Sequence, residues 1–112
     1  VKGNRRLAVV GAPADLESTL GAHDVRAGVP KADVILLFTP NRARFDALVP
    51  SVLATSSRDA ILWVAYPKLT SRLAADLSRD IIHGLAPEYG LDTVSQIAID
   101  NDWSALRLKR MA

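Results

Sequence analysis

The run Thr93-Val94-Ser95-Gln96-Ile97-Ala98-Ile99, then Asp100-Asn101-Asp102, then Trp103-Ser104-Ala105-Leu106-Arg107-Leu108 decides the fold. Two strand-like stretches joined by three turn-forming residues permit only antiparallel pairing, because parallel strands need a crossover of a dozen residues or more. In the second stretch Leu106 and Leu108 point one way and Arg107 and Lys109 the other. Such alternation belongs to a strand near a sheet edge with one wetter face.

Upstream of the hairpin the chain repeats a different unit. Leu7-Ala8-Val9-Val10 is apolar on both faces and closes at Gly11-Ala12-Pro13, which reads as a buried parallel strand. Pro13 suits the first turn of a helix, Leu16 and Leu20 share one face, and Gly21 stops it. Asp24 to Ala27 reads as a brief second strand, followed by a loop marked by Gly28 and Pro30. Asp33-Val34-Ile35-Leu36-Leu37-Phe38 shows no alternation, so both its faces are covered and it belongs at the sheet centre. Thr39-Pro40-Asn41 ends that strand and opens a helix whose stripe is Phe45, Leu48, Val49, Val52 and Leu53. Pro50 cannot donate to the carbonyl of Asp46, so the helix is expected to kink there and continue.

Ser56 to Asp59 turns into a third strand, Ile61 to Tyr66, which ends at Pro67-Lys68. Thr70 or Ser71 is the expected cap of the next helix, with Leu73, Leu77, Ile81 and Leu85 on its buried side. Gly84 weakens that helix, Pro87 disturbs its end, and Gly90 is a natural residue just past it.

Repeated strand–helix units force a parallel sheet with right-handed crossovers and helices on both faces. The expectation is one α/β domain over residues 1–112: a three-layer α/β/α Rossmann-like, mostly parallel sheet ending in a C-terminal antiparallel hairpin. Class I methyltransferases end their sheet in this way, and the chain resembles a short version of that fold. The part matching their second and third units is compressed into roughly residues 22 to 32. Trp63-Val64-Ala65-Tyr66-Pro67-Lys68 and Asp102-Trp103-Ser104-Ala105-Leu106-Arg107-Leu108 are also similar to a small uncharacterised bacterial family of unknown function. Its members combine a W-x-x-x-P-K strand end with a terminal W-S-(A/G)-x-(K/R)-L strand. Gly11-Ala12-Pro13 and Ala32 to Leu37 fit its first and central strands. The resemblance implies a truncated methyltransferase-like fold and no established activity.

Composition narrows the function classes. With 49% hydrophobic and 23% charged residues in 112, the chain is ordinary globular material and not a disordered segment. No apolar run, Val34 to Phe38 included, comes near the ~20 residues that span a bilayer, so no membrane role is expected. No basic segment precedes an apolar signal core, and a cytoplasmic protein is expected. The opening on Val1 instead of Met is consistent with removal of upstream residues. There are no cysteines, which excludes disulfides, thiolate metal sites and cysteine nucleophiles. His23 and His83 fall on separate elements, so no metal site is expected.

The net charge is +2, and the basic doublets Arg5-Arg6 and Lys109-Arg110 sit at opposite ends. Solvated chain ends explain them better than a phosphate-contacting patch where the termini meet. Without a basic stripe interleaved with aromatics, the sequence argues against nucleic acid as a partner.

In open parallel sheets ligands rest outside the carboxyl ends of the strands, beside the topological switch point. Those ends nominate Gly11, Asn41 and Lys68 as ligand-binding candidates. A methyltransferase of this resemblance would need a glycine-rich loop after its first strand and an acid after its second. The chain offers only Gly11 and no convincing acid, so loss of the cofactor is the more economical reading, with S-adenosylmethionine the group expected if one is kept. The Lys68 ammonium suits a phosphate, a carboxylate or a partner's acidic group, although a solvated lysine after a strand-ending proline accounts for it more simply. Asp102, Trp103 and Ser104 form the candidate interaction surface; a packing anchor at the sheet end is the favoured role for Trp103.

No catalytic residue is nominated. There is no G-x-S-x-G elbow and no G-K-[ST] phosphate loop, and His83 near a helix C-terminus is explained by the helix dipole. The first functional expectation is a non-catalytic methyltransferase-like module that binds another protein or forms a homodimer. The alternative is a ligand-binding or enzymatic domain for an adenosyl-type or phosphate ligand at the ends of the first and third strands.

Overall fold

The computed structural model describes residues 6–11, 25–26 and 28–111. In chain order these form β1 (Arg6–Val10), β2 (Val25–Arg26), a 3-10 turn (Val29–Lys31), β3 (Val34–Phe38) and α1 (Arg42–Thr55). β4 (Ile61–Pro67), α2 (Arg79–Leu85), a second 3-10 turn (Ala86–Tyr89), β5 (Leu91–Ala98) and β6 (Trp103–Arg110) follow. The six strands make one sheet in the order β2-β1-β3-β4-β6-β5. β1 runs parallel to β2 and β3, and β3 parallel to β4, while β6 is antiparallel to both β4 and β5. The mostly parallel sheet with a terminal antiparallel hairpin is therefore what the chain builds.

Strand alternation sends Ile35, Leu37, Leu62, Val64, Tyr66, Leu106 and Leu108 to one face, where they join Phe45, Val49 and Val52 of α1 and Ile82 and Leu85 of α2. Both described helices thus cover the same face, the geometry that lets each apolar stripe close on the sheet. The opposite face carries a second cluster of Phe38, Ala65, Trp103 and Ala105, with Val9, Leu36, Trp63 and Ile99 partly buried against it. The helix expected over residues 13 to 20, and the layer it would supply, lie outside the described residues.

The hairpin is set by one carboxylate. Asp100 accepts from the backbone N–H groups of Asp102 and Trp103, both at 2.8 Å, which bends the chain without a glycine. The N–H groups of Ile99 and Asp100 donate to the Trp103 carbonyl. Trp103 then meets Phe38 edge-on, with ring centroids 5.1 Å apart. A bulge between Thr93 and Ser95 interrupts the β5–β6 ladder.

α1 runs through Pro50, as expected, with Phe45, Val49 and Val52 buried. The third helix differs from expectation. It does not start at Thr70 or Ser71: Lys68 to Leu77 is irregular, and α2 opens at Ser78, whose hydroxyl accepts from the N–H of Ile81. The Ser71 hydroxyl instead donates to Asp102 at 2.8 Å, tying the loop to the hairpin. Counting from the true start, Leu77, Ile82 and Leu85 turn inward, whereas Leu73 and Ile81 are 46% and 38% exposed. Gly90 closes the following 3-10 turn in the left-handed region, with φ of 71°.

Arg6, the described member of the first basic doublet, forms no patch with Lys109 and Arg110. β1 and β6 are separated by β3 and β4. Arg6 pairs with Asp33, and Arg110 donates to the Leu53 carbonyl and the Ser56 hydroxyl. Among the described residues no helix is long and apolar enough to cross a membrane.

Candidate functional site

The strand order reverses between β1 and β3, which places the switch point at the carboxyl ends of those two strands. Gly11 follows β1 there with φ of 73°, and a Cβ on it would stand 3.4 Å from the Phe38 carbonyl oxygen. The backbone passes close at this point and in a conformation that L side chains rarely adopt. Asn41 lies at the end of β3, where its side-chain oxygen accepts from the N–H of Arg44 at 2.9 Å and caps α1. Thr39 beside it is fully buried, and its hydroxyl donates to the Ala65 carbonyl at 2.8 Å. The Thr39 hydroxyl and the Asn41 side-chain oxygen thus serve the fold.

Lys68 sits apart from that corner. It follows β4, and its own N–H donates to the Asp102 carbonyl at 2.8 Å, which locks the strand end to the hairpin. Its side chain lines an open cavity of about 500 Å³ together with Tyr66, Leu69, Arg79, Gln96 and Ser104, and neither Gly11 nor Asn41 contributes to it. The three sequence candidates therefore divide between two places.

The cavity is built by register. Tyr66 stands opposite Ser104, Ser104 opposite Ala98, and Gln96 one step along β5 opposite Leu106. The Gln96 amide donates to the Tyr66 hydroxyl at 2.9 Å, and its carbonyl oxygen accepts from Arg79 at 3.4 Å. Tyr66 and Ser104 are 3% and 5% exposed. Burial pushes the Tyr66 phenol up from its ordinary value of 10.0, against opposing pulls from the Arg79 guanidinium and a hydrogen bond from Ser104. A smaller neighbouring cavity of about 350 Å³ continues past Arg79 and Gln96 to Asp80, His83 and Thr93. His83 Nδ1 lies 2.6 Å from the Thr93 hydroxyl.

Asp102, Trp103 and Ser104 are drawn inward. Trp103 is 6% exposed against Phe38, Ser104 is buried, and the Asp102 carboxylate holds Ser71. The indole anchors the end of the sheet. Tyr66, Arg79 and Gln96 were not nominated from sequence; they come from three elements and meet only through the β4–β6–β5 register. No group of three His, Cys, Asp or Glu that could hold a metal occurs among the described residues.

No family model and no curated protein matches the chain in sequence, so the likeness to an uncharacterised bacterial family rests on the quoted residues alone. Solved structures do match in shape. The ribosomal protein L11 methylase of Lactobacillus delbrueckii subsp. bulgaricus is similar over 100% of this chain and 72% of its own, at 13% identity and a TM-score of 0.59. An O-methyltransferase from neocarzinostatin biosynthesis, in complex with S-adenosyl-L-homocysteine, is similar over 95% of this chain but 49% of its own, at 12% identity and a TM-score of 0.62. The magnesium protoporphyrin IX methyltransferase of Synechocystis PCC 6803 is similar over 96% of this chain and 74% of its own, at 8% identity and a TM-score of 0.59.

A nucleoside cofactor in such a sheet needs close backbone approach after the first strand and an acid after the second for the ribose hydroxyls. Gly11 meets the first need; Arg26 to Ala32, the run that follows β2, contains no Asp or Glu. Only half of the expected donor set is present among the described residues. At these identities the likeness establishes architecture: the chain has a class I methyltransferase-like fold.

Proposed function

We propose that the chain is a methyltransferase-like module that transfers no methyl group and works by pairing with a second copy of itself along β5. The observation that supports this is the state of that strand. β5 ends the sheet, so one side of its backbone has no neighbouring strand among the described residues. Only Leu91 of its eight residues is buried, while Val94 and Ile97 are 52% and 50% exposed. Free edges are normally blunted by lysine, proline or bulges. β5 has neither lysine nor proline, and its one bulge leaves Ser95 to Ala98 regular.

A second copy is the partner that best suits this edge. Its only charge is Asp92 at one end, so two β5 strands running antiparallel bring no like charges together at their centre. Antiparallel edge pairing is also isologous, the closed geometry of most homodimers. Light scattering on the wild-type chain and Ile97→Lys tests it: a dimer reduced to monomer by the lysine supports the reading, and a monomer at every concentration opposes it.

A second reading is an adenosyl-type ligand at the β1–β3 corner, favoured by the left-handed glycine backbone at Gly11 and by neighbours solved with S-adenosylmethionine or its demethylated product. Calorimetric titration with both compounds distinguishes the two. Saturable binding lost in Gly11→Val would replace the first reading with the second.

A further inference from the structure

We infer that the cavity between the end of β4 and the hairpin binds the phosphate group of a small phosphorylated molecule. It opens on the helix-covered face of the sheet, away from the Gly11 corner, and Gln96, Ile97 and Ala98 of β5 form one of its walls. Three observations carry this.

The first is charge. Lys68 and Arg79 both line the cavity, and the half-buried Lys68 ammonium has no carboxylate partner among the described residues. Among the described residues Arg79 has an ion pair with Asp80 alone, at 3.8 Å, and both side chains of that pair are well exposed, so water screens it and Arg79 remains available. Two cations beside one cavity match a dianion better than a monoanion. Arginine offers a planar fork for phosphate oxygens, and lysine adds a point charge.

The second is the hydroxyl pair at the cavity floor. Tyr66 and Ser104 are almost wholly buried, yet both reach the cavity. The Tyr66 oxygen accepts from the Gln96 amide at 2.9 Å, with Ser104 opposite it in the ladder. With the Gln96 contact accepted by the tyrosine oxygen, its own O–H can donate, and a phosphate oxygen is an acceptor of the right kind. With an ordinary value of 10.0, raised further by burial, that phenol is a donor at neutral pH.

The third is how firmly the groups are placed. Tyr66 and Ser104 are cross-strand partners in the ladder, and Arg79 is steadied by Gln96. Lys68 emerges from a backbone bonded to the Asp102 carbonyl. Leu69, 72% exposed at the cavity wall, can cover an organic portion of the ligand. Volume of about 500 Å³ exceeds what inorganic phosphate alone would fill.

The experiment is an amide-resolved NMR titration of the full chain with phenyl phosphate, inorganic phosphate and benzoate. Saturable shifts centred on Lys68, Gln96 and Ser104 are expected with phenyl phosphate, weaker ones with inorganic phosphate and the weakest with benzoate. Lys68→Ala and Arg79→Ala are each expected to weaken phenyl phosphate about tenfold or more, the usual loss for one charge-assisted bond. Tyr66→Phe should weaken it about threefold or more, and Arg58→Ala, on a turn remote from the cavity, should leave it unchanged. Absence of saturable shifts overturns the proposal. So does binding that survives Lys68→Ala and Arg79→Ala together in a variant whose spectrum stays folded, or benzoate binding as tightly as phenyl phosphate.

Discussion

β3 is apolar throughout, β5 mixes Asp92, Thr93, Ser95 and Gln96 with its apolar residues, and the two strands meet opposite fates. β3 lies between two parallel neighbours and buries four of its five side chains, whereas β5 ends the sheet and buries one of eight. Composition and coverage go together: the unbroken apolar run is enclosed, and the mixed one lies on the rim. A strand enclosed on both faces contributes stability, and one left on the rim is free to contribute contact. The distinction runs through the molecule, since the Phe38–Trp103 pair locks the hairpin to β3 while the outer half of the same hairpin stays open.

The largest expected effect breaks that lock. Phe38→Ala removes a fully buried ring and should cost about 3–5 kcal/mol in urea denaturation. Trp103→Ala should cost a similar amount, and the double variant less than the sum by about 0.5–1.5 kcal/mol, the coupling expected for an edge-to-face pair. Equal additivity would mean that the hairpin is held by something else.

Next comes the turn. Asp100→Ala releases two backbone donors and should cost about 1–2 kcal/mol, while Asp100→Asn, which keeps the accepting oxygen, should recover most of it. The same denaturation series reads both.

Tyr66 sharpens the comparison through pH. Because its phenol is raised above 10.0, the native state holds that proton more tightly than the unfolded chain does. The contribution is therefore fully present below 10.0 and is lost as pH rises through the higher native value. Stability of the wild-type chain should fall more steeply above pH 10 than that of Tyr66→Phe, measured at matched ionic strength.

The smallest effect belongs to the rim. Val94→Thr, on the exposed part of β5, should change stability by no more than about 0.5 kcal/mol. A loss several times larger would show that β5 is covered in solution even as a monomer.

The strands, the hairpin and α1 were legible because their signals are local: unbroken apolar runs, period-two alternation, and a stripe at helical spacing. The start of α2 was not, since Ser71 and Ser78 are equally good caps on paper. What separates them is Asp102, 31 residues from Ser71, which takes the first serine for the hairpin. The cavity escaped for the same reason. Lys68 was visible as a cation at a strand end, but Tyr66, Arg79 and Gln96 gain meaning only once β4, β6 and β5 are in register. Asn41 and Gly11 were placed correctly at strand ends, and the structure adds that Asn41 is engaged as a helix cap.

Amide hydrogen exchange across β5 at rising protein concentration tests the central claim most directly. If two copies pair along this edge, the outward amides of Ser95 to Ala98 should slow as concentration increases, while those of β3 stay fixed at the limit set by global unfolding. Exchange at β5 that is fast and independent of concentration would contradict the account.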